Sequence, residues 1–237
     1  MYSTHQLAKM IDHSILHPTM TDEDLIMGCK LAKEYDVASV CVKPYAVRMA
    51  CDLLQDSDVA VGTVIGFPHG NSSIEVKVFE TENAINNGAK EIDMVINIGK
   101  ALGSDWKYIE REIESIVGVT RTMKVILKVI FENDYMPDDD HKIRLCRICN
   151  RLKVDYVKTS SGYGFVKGAD GKYSYLGATE HDVELMRKHA DPGIGVKAAG
   201  GVRTLDEMLK MVEKGVTRLG ATATQAILDE AMKRYGE

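Results

Sequence analysis

Two alternating patterns constrain this chain more than any other feature. Short runs rich in apolar and β-branched residues are each followed by a longer amphipathic stretch. The runs lie at 39–42, 59–67, 91–97, 124–130, 155–160, 195–200 and 218–222, with a weaker eighth at 10–16. Most are near-continuously hydrophobic, the pattern of parallel strands covered on both faces. The stretches between them carry helix signals. Thr21-Asp22-Glu23-Asp24 reads as a capping box with acids in the first turn. A helix over 72–87 closes at Gly88. Ser104-Asp105, Pro137-Asp138-Asp139-Asp140 and Thr179-Glu180 open three more. Thr204 caps 205–214, which ends at Gly215, and a last helix covers 223–235.

Eight strands alternating with helices predict an α/β fold, a (β/α)8 TIM barrel, with a doubly wound open sheet as the structural rival. No Pro/Ser-rich linker divides the 237 residues, so 1–237 reads as a single domain. Residues 4–11 read as a short N-terminal helix over the barrel bottom. The hydrophobic fraction of 45% suffices for a sizeable core. A net charge of −5 argues against a nucleic-acid surface, which carries basic excess, but not against a local basic pocket. No apolar window approaches the roughly 18 residues of a membrane span, and the N-terminus lacks a secretory pattern. Cys29, Cys41, Cys51, Cys146 and Cys149 are an odd set without disulfide-framework spacing, as in a reduced, cytoplasmic chain.

A barrel places its chemistry at the C-terminal ends of its strands. Those ends hold Asp12, Cys41, Lys43, Asp93, Lys128, Lys158, Thr159, Lys197, Gly200 and Gly201 on this reading. Lys158 and Lys197 lie in consecutive runs, and neighbouring strands are about 4.8 Å apart. Two inward lysines at that spacing disfavour each other's charge, and burial acts the same way. The result is one neutral amine near physiological pH, as a Schiff-base nucleophile requires. The structural alternative pairs each lysine with a carboxylate such as Asp93 or Glu132. Lys128 can join the cluster. Asp93, inside an apolar strand, reads as a proton relay or as an ion-pair partner, and the two roles are compatible.

Three glycine-containing turns follow late runs: Ser160-Ser161-Gly162, Gly200-Gly201-Val202-Arg203 and Gly220-Ala221-Thr222. Glycine lets backbone N–H groups approach an anion, so Gly162, Gly200, Gly201, Gly220 and Thr222 are candidate phosphate ligands. Cys146-Arg147-Ile148-Cys149 lacks the further ligands of a zinc site and reads as two helix-facing thiols. Cys41 reads as a small buried residue near the site, and His69 as a turn residue.

At these residues the sequence resembles the deoxyribose-phosphate aldolases, class I aldolases with a TIM-barrel fold. The resemblance spans nearly the whole chain. It is carried by Ile11-Asp12-His13-Ser14-Ile15-Leu16, Val40-Cys41-Val42, Val64-Ile65-Gly66-Phe67-Pro68 and Glu91-Ile92-Asp93-Met94-Val95-Ile96-Asn97. Most specific are Val157-Lys158-Thr159-Ser160 with Gly162, and Val196-Lys197-Ala198-Ala199-Gly200-Gly201-Val202-Arg203. The resemblance implies Lys158 as the Schiff-base lysine, Lys197 as the second lysine lowering its pKa, and Asp93 as the proton carrier. It implies reversible cleavage of 2-deoxy-D-ribose 5-phosphate to D-glyceraldehyde 3-phosphate and acetaldehyde, read here with the C3–C4 bond breaking. Neither cofactor nor metal is implied, because the iminium acts as electron sink. A homodimer or homotetramer is implied as well.

The chain departs from that family at several points. The last phosphate turn is Thr222-Ala223 where the family usually has two serines, and His17 replaces a frequent lysine. Ser161 stands for the usual threonine, and Lys43 for a neutral residue. The segment 163–176 is longer, and reads as a hairpin turning at Asp170-Gly171 or as a lid. Two alternatives therefore stay open. One is the same chemistry on a different or unphosphorylated aldehyde. The other is a non-catalytic barrel that binds a sugar phosphate.

Overall fold

The computed structural model describes residues 2–236. Its first six strands are β1 (Ile11–Ile15), β2 (Ser39–Val42), β3 (Ala60–Ile65), β4 (Glu91–Val95), β5 (Ile126–Ile130) and β6 (Tyr156–Lys158). A small antiparallel hairpin, β7 (Val166–Lys167) and β8 (Tyr173–Ser174), precedes β9 (Gly195–Ala199) and β10 (Arg218–Ala221). The eight strands outside the hairpin are parallel and close in the order β1-β10-β9-β6-β5-β4-β3-β2. The closing pair sets Ile11 against Leu219 and Asp12 against Gly220. That contact makes a barrel and excludes the open sheet.

The principal helices are α1 (Thr4–Ala8), α2 (Asp22–Glu34), α3 (Val47–Leu54), α4 (Ile74–Asn86), α5 (Ile98–Leu102), α6 (Trp106–Met123), α7 (Asp139–Leu152), α8 (Glu180–His189), α9 (Leu205–Glu213) and α10 (Thr224–Tyr235). Eight begin on a side-chain cap, from Ser3, Thr21, Ser73, Asn97, Asp105, Asp138, Thr179 and Thr204, each accepting a first-turn backbone N–H. A cap of this kind contributes about 0.5–2 kcal/mol. Strand residues Val40, Ile92, Val129, Val157, Val196 and Leu219 are fully buried in one core cluster with helix residues Ile109, Leu145, Val183 and Ile227. Burying each such side chain stabilises the fold by about 1.5–3 kcal/mol. No helix among the described residues is long and apolar enough to cross a membrane.

The structure corrects several boundaries. The N-terminal helix stops at Ala8, and Ile11 belongs to β1. Its Leu7 and Ala8 are buried, and the Ala8 carbonyl accepts from Ala38 N just before β2. The strand expected over 91–97 ends at Val95, because the Asn97 side chain accepts from Lys100 N and caps α5. Lys124, expected in a strand, has a left-handed φ of 56° and closes α6. The segment 163–176 does contain the hairpin, with Val166 opposite Ser174.

Candidate active site

Seven charged side chains meet inside the barrel: Asp12, Glu91, Asp93, Lys128, Lys158, Lys197 and Arg218. Strand register brings them together. Lys158 is the last residue of β6 and sits opposite Lys197 of β9. Asp93 of β4 is opposite Lys128 of β5. Asp12 lies in β1, whose partners at that level are Gly220 and Ser39. Each of these side chains is buried, and burying a charge is costly unless it is paired.

The pairing forms one connected chain. At one end Arg218 donates to Asp12 at 2.6 Å and to Glu91 at 3.2 Å. Lys128 donates to Glu91 at 2.5 Å and Asp12 at 2.6 Å, and its ammonium stands 3.2 Å from Asp93 Oδ1. Lys197 donates to both Asp12 and Asp93, and Ser39 donates its hydroxyl to Asp12 at 2.7 Å. Lys158 ends the chain with one carboxylate partner, Asp93 Oδ2, at 2.6 Å. Thr159 clamps β6 to β9 beside the lysines, accepting from Ala199 N at 3.1 Å and donating to its carbonyl at 3.3 Å.

Charge separates the two lysines. Burial lowers the Lys158 pKa, Lys197 lowers it further, and Asp93 only partly opposes this. Burial also acts against Lys197, but Asp12 and Asp93 outweigh it and hold that ammonium above its ordinary value. The same balance holds Lys128 charged. Burial opposes ionisation of Asp12 and Asp93 too, yet the surrounding cations keep both carboxyls well below the usual range. Four cations against three carboxylates leave one excess positive charge. Loss of a proton from Lys158 therefore leaves this set neutral.

Of these seven groups, only Lys158 lines the cavity at the open end of the barrel. That cavity has a volume of about 470 Å³. All five candidate phosphate residues border it: Gly162, Gly200, Gly201, Gly220 and Thr222. Leu16, Cys41 and Val64 form a small buried apolar cluster under Phe67 and Tyr163, whose rings meet edge to face at 5.5 Å. Burial pushes the Cys41 thiol up to about 11, as expected of a packed residue and not of a nucleophile. His69 is exposed and does not border the cavity. Cys146 and Cys149 are free and buried in α7.

Asp12 and Lys128 are not at the barrel mouth, as their strand-end assignment expected. They lie within β1 and β5, and neither borders the cavity. The cavity also takes in residues that the sequence placed in its turns or in the 163–176 segment without a role of their own: Arg203, Ser161, Tyr163, Phe165 and Tyr175. Glu91 and Arg218 were missed inside the barrel, although each is a charge at the start of an apolar run. Glu132, read only as a possible lysine partner, instead accepts from Ser161 N at 3.0 Å and so ties β5 to the turn after Lys158. Lys43 donates to the Met20 and His17 carbonyls and fastens the loop after β1.

A closed (β/α)8 barrel with a buried lysine facing its cavity defines the barrel aldolases as a class. The family model described as DeoC/LacD family aldolase matches residues 6–229. The chain is 45% identical to the deoxyribose-phosphate aldolase of Rhodopirellula baltica over 235 residues, 99% of this chain and 93% of that one. It is 46% identical to the enzyme of the same name from Listeria innocua over 222 residues, 94% of each chain. The solved tetrameric deoxyribose phosphate aldolase of Aeropyrum pernix superposes with a TM-score of 0.85 at 28% identity, covering 96% of this chain and 92% of that one. The chain belongs to the DeoC/LacD aldolase family.

Proposed function

We propose that this chain is a class I aldolase that reversibly cleaves 2-deoxy-D-ribose 5-phosphate to D-glyceraldehyde 3-phosphate and acetaldehyde. One observation carries the reading. Lys158 is at once the cluster's cavity-facing group, bound to a single carboxylate, and the lysine whose charge its surroundings disfavour.

In this mechanism neutral Lys158 attacks C1 of the open-chain sugar. Loss of water from the carbinolamine gives a protonated imine. The bond that then breaks is C2–C3 and not C3–C4, since acetaldehyde takes two carbons and the other product three. The electron pair of C2–C3 flows into the iminium as the C3 hydroxyl loses its proton, leaving an enamine on Lys158 and releasing the three-carbon aldehyde. Protonation at C2 and hydrolysis release acetaldehyde and restore the amine. Asp93 takes part through water, accepting the hydroxyl proton and returning one to C2. Lys197 holds Asp93 in place and keeps Lys158 low in pKa. The glycine turns and Thr222 take the phosphate.

Assembly as a homodimer or homotetramer belongs to the same reading, and Val76 and Phe79 on α4 offer an exposed apolar surface for it. The free state of all five cysteines supports a cytoplasmic location.

Acetaldehyde with borohydride tests the chemistry, with the mass shift mapped by peptide. The expected adduct is on Lys158, and Lys158→Leu abolishes it together with turnover. An unmodified Lys158, or turnover that survives in Lys158→Leu, overturns the assignment. Competition between deoxyribose 5-phosphate and deoxyribose then decides whether the phosphate is recognised.

A further inference from the structure

Tyr175, just after the β7–β8 hairpin, brings a phenol to the edge of the cavity. Its hydroxyl lies where three glycines leave room. A Cβ placed on Gly200 would stand 1.6 Å from Oη, one on Gly177 2.9 Å and one on Gly162 3.9 Å. Gly200 also has a left-handed φ of +86°, so any side chain there is strained as well as obstructed. The phenol thus occupies the junction between the turn after β6 and the turn after β9, beside two of the glycines assigned above to the phosphate.

The hydroxyl is buried and has no hydrogen-bond partner among the described residues. A buried hydroxyl without a partner is destabilising, so a native structure that keeps one calls for an explanation. Burial, then the neighbouring Glu132 and Asp134 carboxylates, push the phenol pKa up, so Tyr175 is a hydrogen-bond donor at any physiological pH. The turn after β10 offers the hydroxyl of Thr222 but none from Ala223. Arg203, which also lines the cavity, brings positive charge to it.

We propose that Tyr175 is a specificity-determining residue whose hydroxyl donates a hydrogen bond to the phosphate of the substrate. In this role the hairpin delivers a donor to the turns after β6 and β9. This inference rests on the phosphorylated-substrate reading given above.

Tyr175→Phe keeps the ring and removes the donor. KM for deoxyribose 5-phosphate is expected to rise about tenfold with kcat within about twofold, the loss expected of one hydrogen bond to a charged acceptor. Inorganic phosphate should weaken as a competitive inhibitor by a similar factor. Cleavage of unphosphorylated deoxyribose and borohydride trapping of acetaldehyde should not change. An equal loss on both sugars would make the role structural and overturn the proposal. Unchanged kinetics on the phosphorylated sugar would overturn it too. A wild-type enzyme with no preference for the phosphorylated sugar would instead overturn the substrate reading, and this inference with it.

Discussion

Lys158 and Lys197 stand opposite each other on adjacent strands and share one acceptor, Oδ2 of Asp93, at 2.6 and 2.7 Å. They differ in what else they touch. Lys197 has a second carboxylate in Asp12, and Lys158 has none. One shared oxygen therefore serves two cations with opposite results: Lys197 keeps its proton and Lys158 is the one able to release it. Splitting the pKa values of neighbouring groups assigns their chemical roles.

Replacing Lys197 tests that asymmetry. In Lys197→Met the repulsion on Lys158 disappears, and Asp93 and Asp12 lose a cation. Both changes tighten the hold on the Lys158 proton, so its pKa rises and its neutral fraction near pH 7 falls. A rise of about one in that pKa removes about nine-tenths of the free amine. Borohydride trapping of acetaldehyde should slow by about tenfold or more near neutrality, with its pH midpoint moved to the alkaline side. A slower rate with an unmoved midpoint would leave Lys197 with no part in tuning Lys158.

Thr222 bears on a different part of the site. It follows β10 at the cavity wall, and its side chain is exposed to that space. Thr222→Ala is expected to raise KM for deoxyribose 5-phosphate by about tenfold with little change in kcat, since a hydrogen bond to a charged group contributes about 1.5–3 kcal/mol. Steady-state kinetics on both sugars check it. No effect would remove this turn from the phosphate site.

Asp12 is proposed to be structural support for the chemistry. Its carboxylate faces Lys128, Lys197 and Arg218 in a site closed to water. Asp12→Asn leaves those cations short of a counter-charge, and breaking a buried pair costs about 3–5 kcal/mol. For a chain of this size each kcal/mol lowers Tm by about 2–4 °C. A calorimetric loss of roughly 10 °C is expected, and an unchanged Tm would refute the assignment.

These residues also show what was legible in the sequence. The strands announced themselves because both faces are buried, which leaves continuous apolar runs, and a lysine inside such a run stands out. Helix starts were legible where a side chain caps them, at Thr21, Asp138 and Thr204. Two helices escaped, one without that cue and one with the cue hidden. No side chain caps α3, and Asn97 capped α5 from the end of an apolar run. Glu91 and Arg218 escaped because a charge at a strand's first residue looks like an exposed end until the barrel closes around it. Asp12 and Lys128 were found but assigned to the wrong level, since period-two patterning reports facing and not depth. Tyr175 was out of reach altogether. Its contacts with Gly200 and Gly162 depend on how the hairpin folds back, and no local pattern encodes that.

Acid should unfold this protein through the barrel interior. Asp12 and Asp93 have depressed pKa values, so the stability they contribute is complete above the unfolded carboxylate value, about 3.9. It is lost as the pH falls below that value toward the folded ones. Glu112 and Glu132 work in the opposite sense, since burial raises both. Their contribution is present below the unfolded glutamate value, about 4.3, and fades as the pH rises through their folded values. Chemical denaturation should therefore give a midpoint nearly level between about pH 7 and 5, where the glutamates' gain is opposed by His13, whose burial lowers its pKa to about 4 so that its contribution is lost as the pH falls from about 6.5. Below about pH 4 it should fall steeply, as only the loss from Asp12 and Asp93 continues. In Glu132→Gln the slope above about pH 5 should turn toward greater stability at neutral pH, because the cost of ionising a buried carboxyl is gone. A wild-type midpoint that stays level down to about pH 2 would show that the aspartates are not held ionised by the lysines, and the charge balance assigned to Lys158 would fail with it.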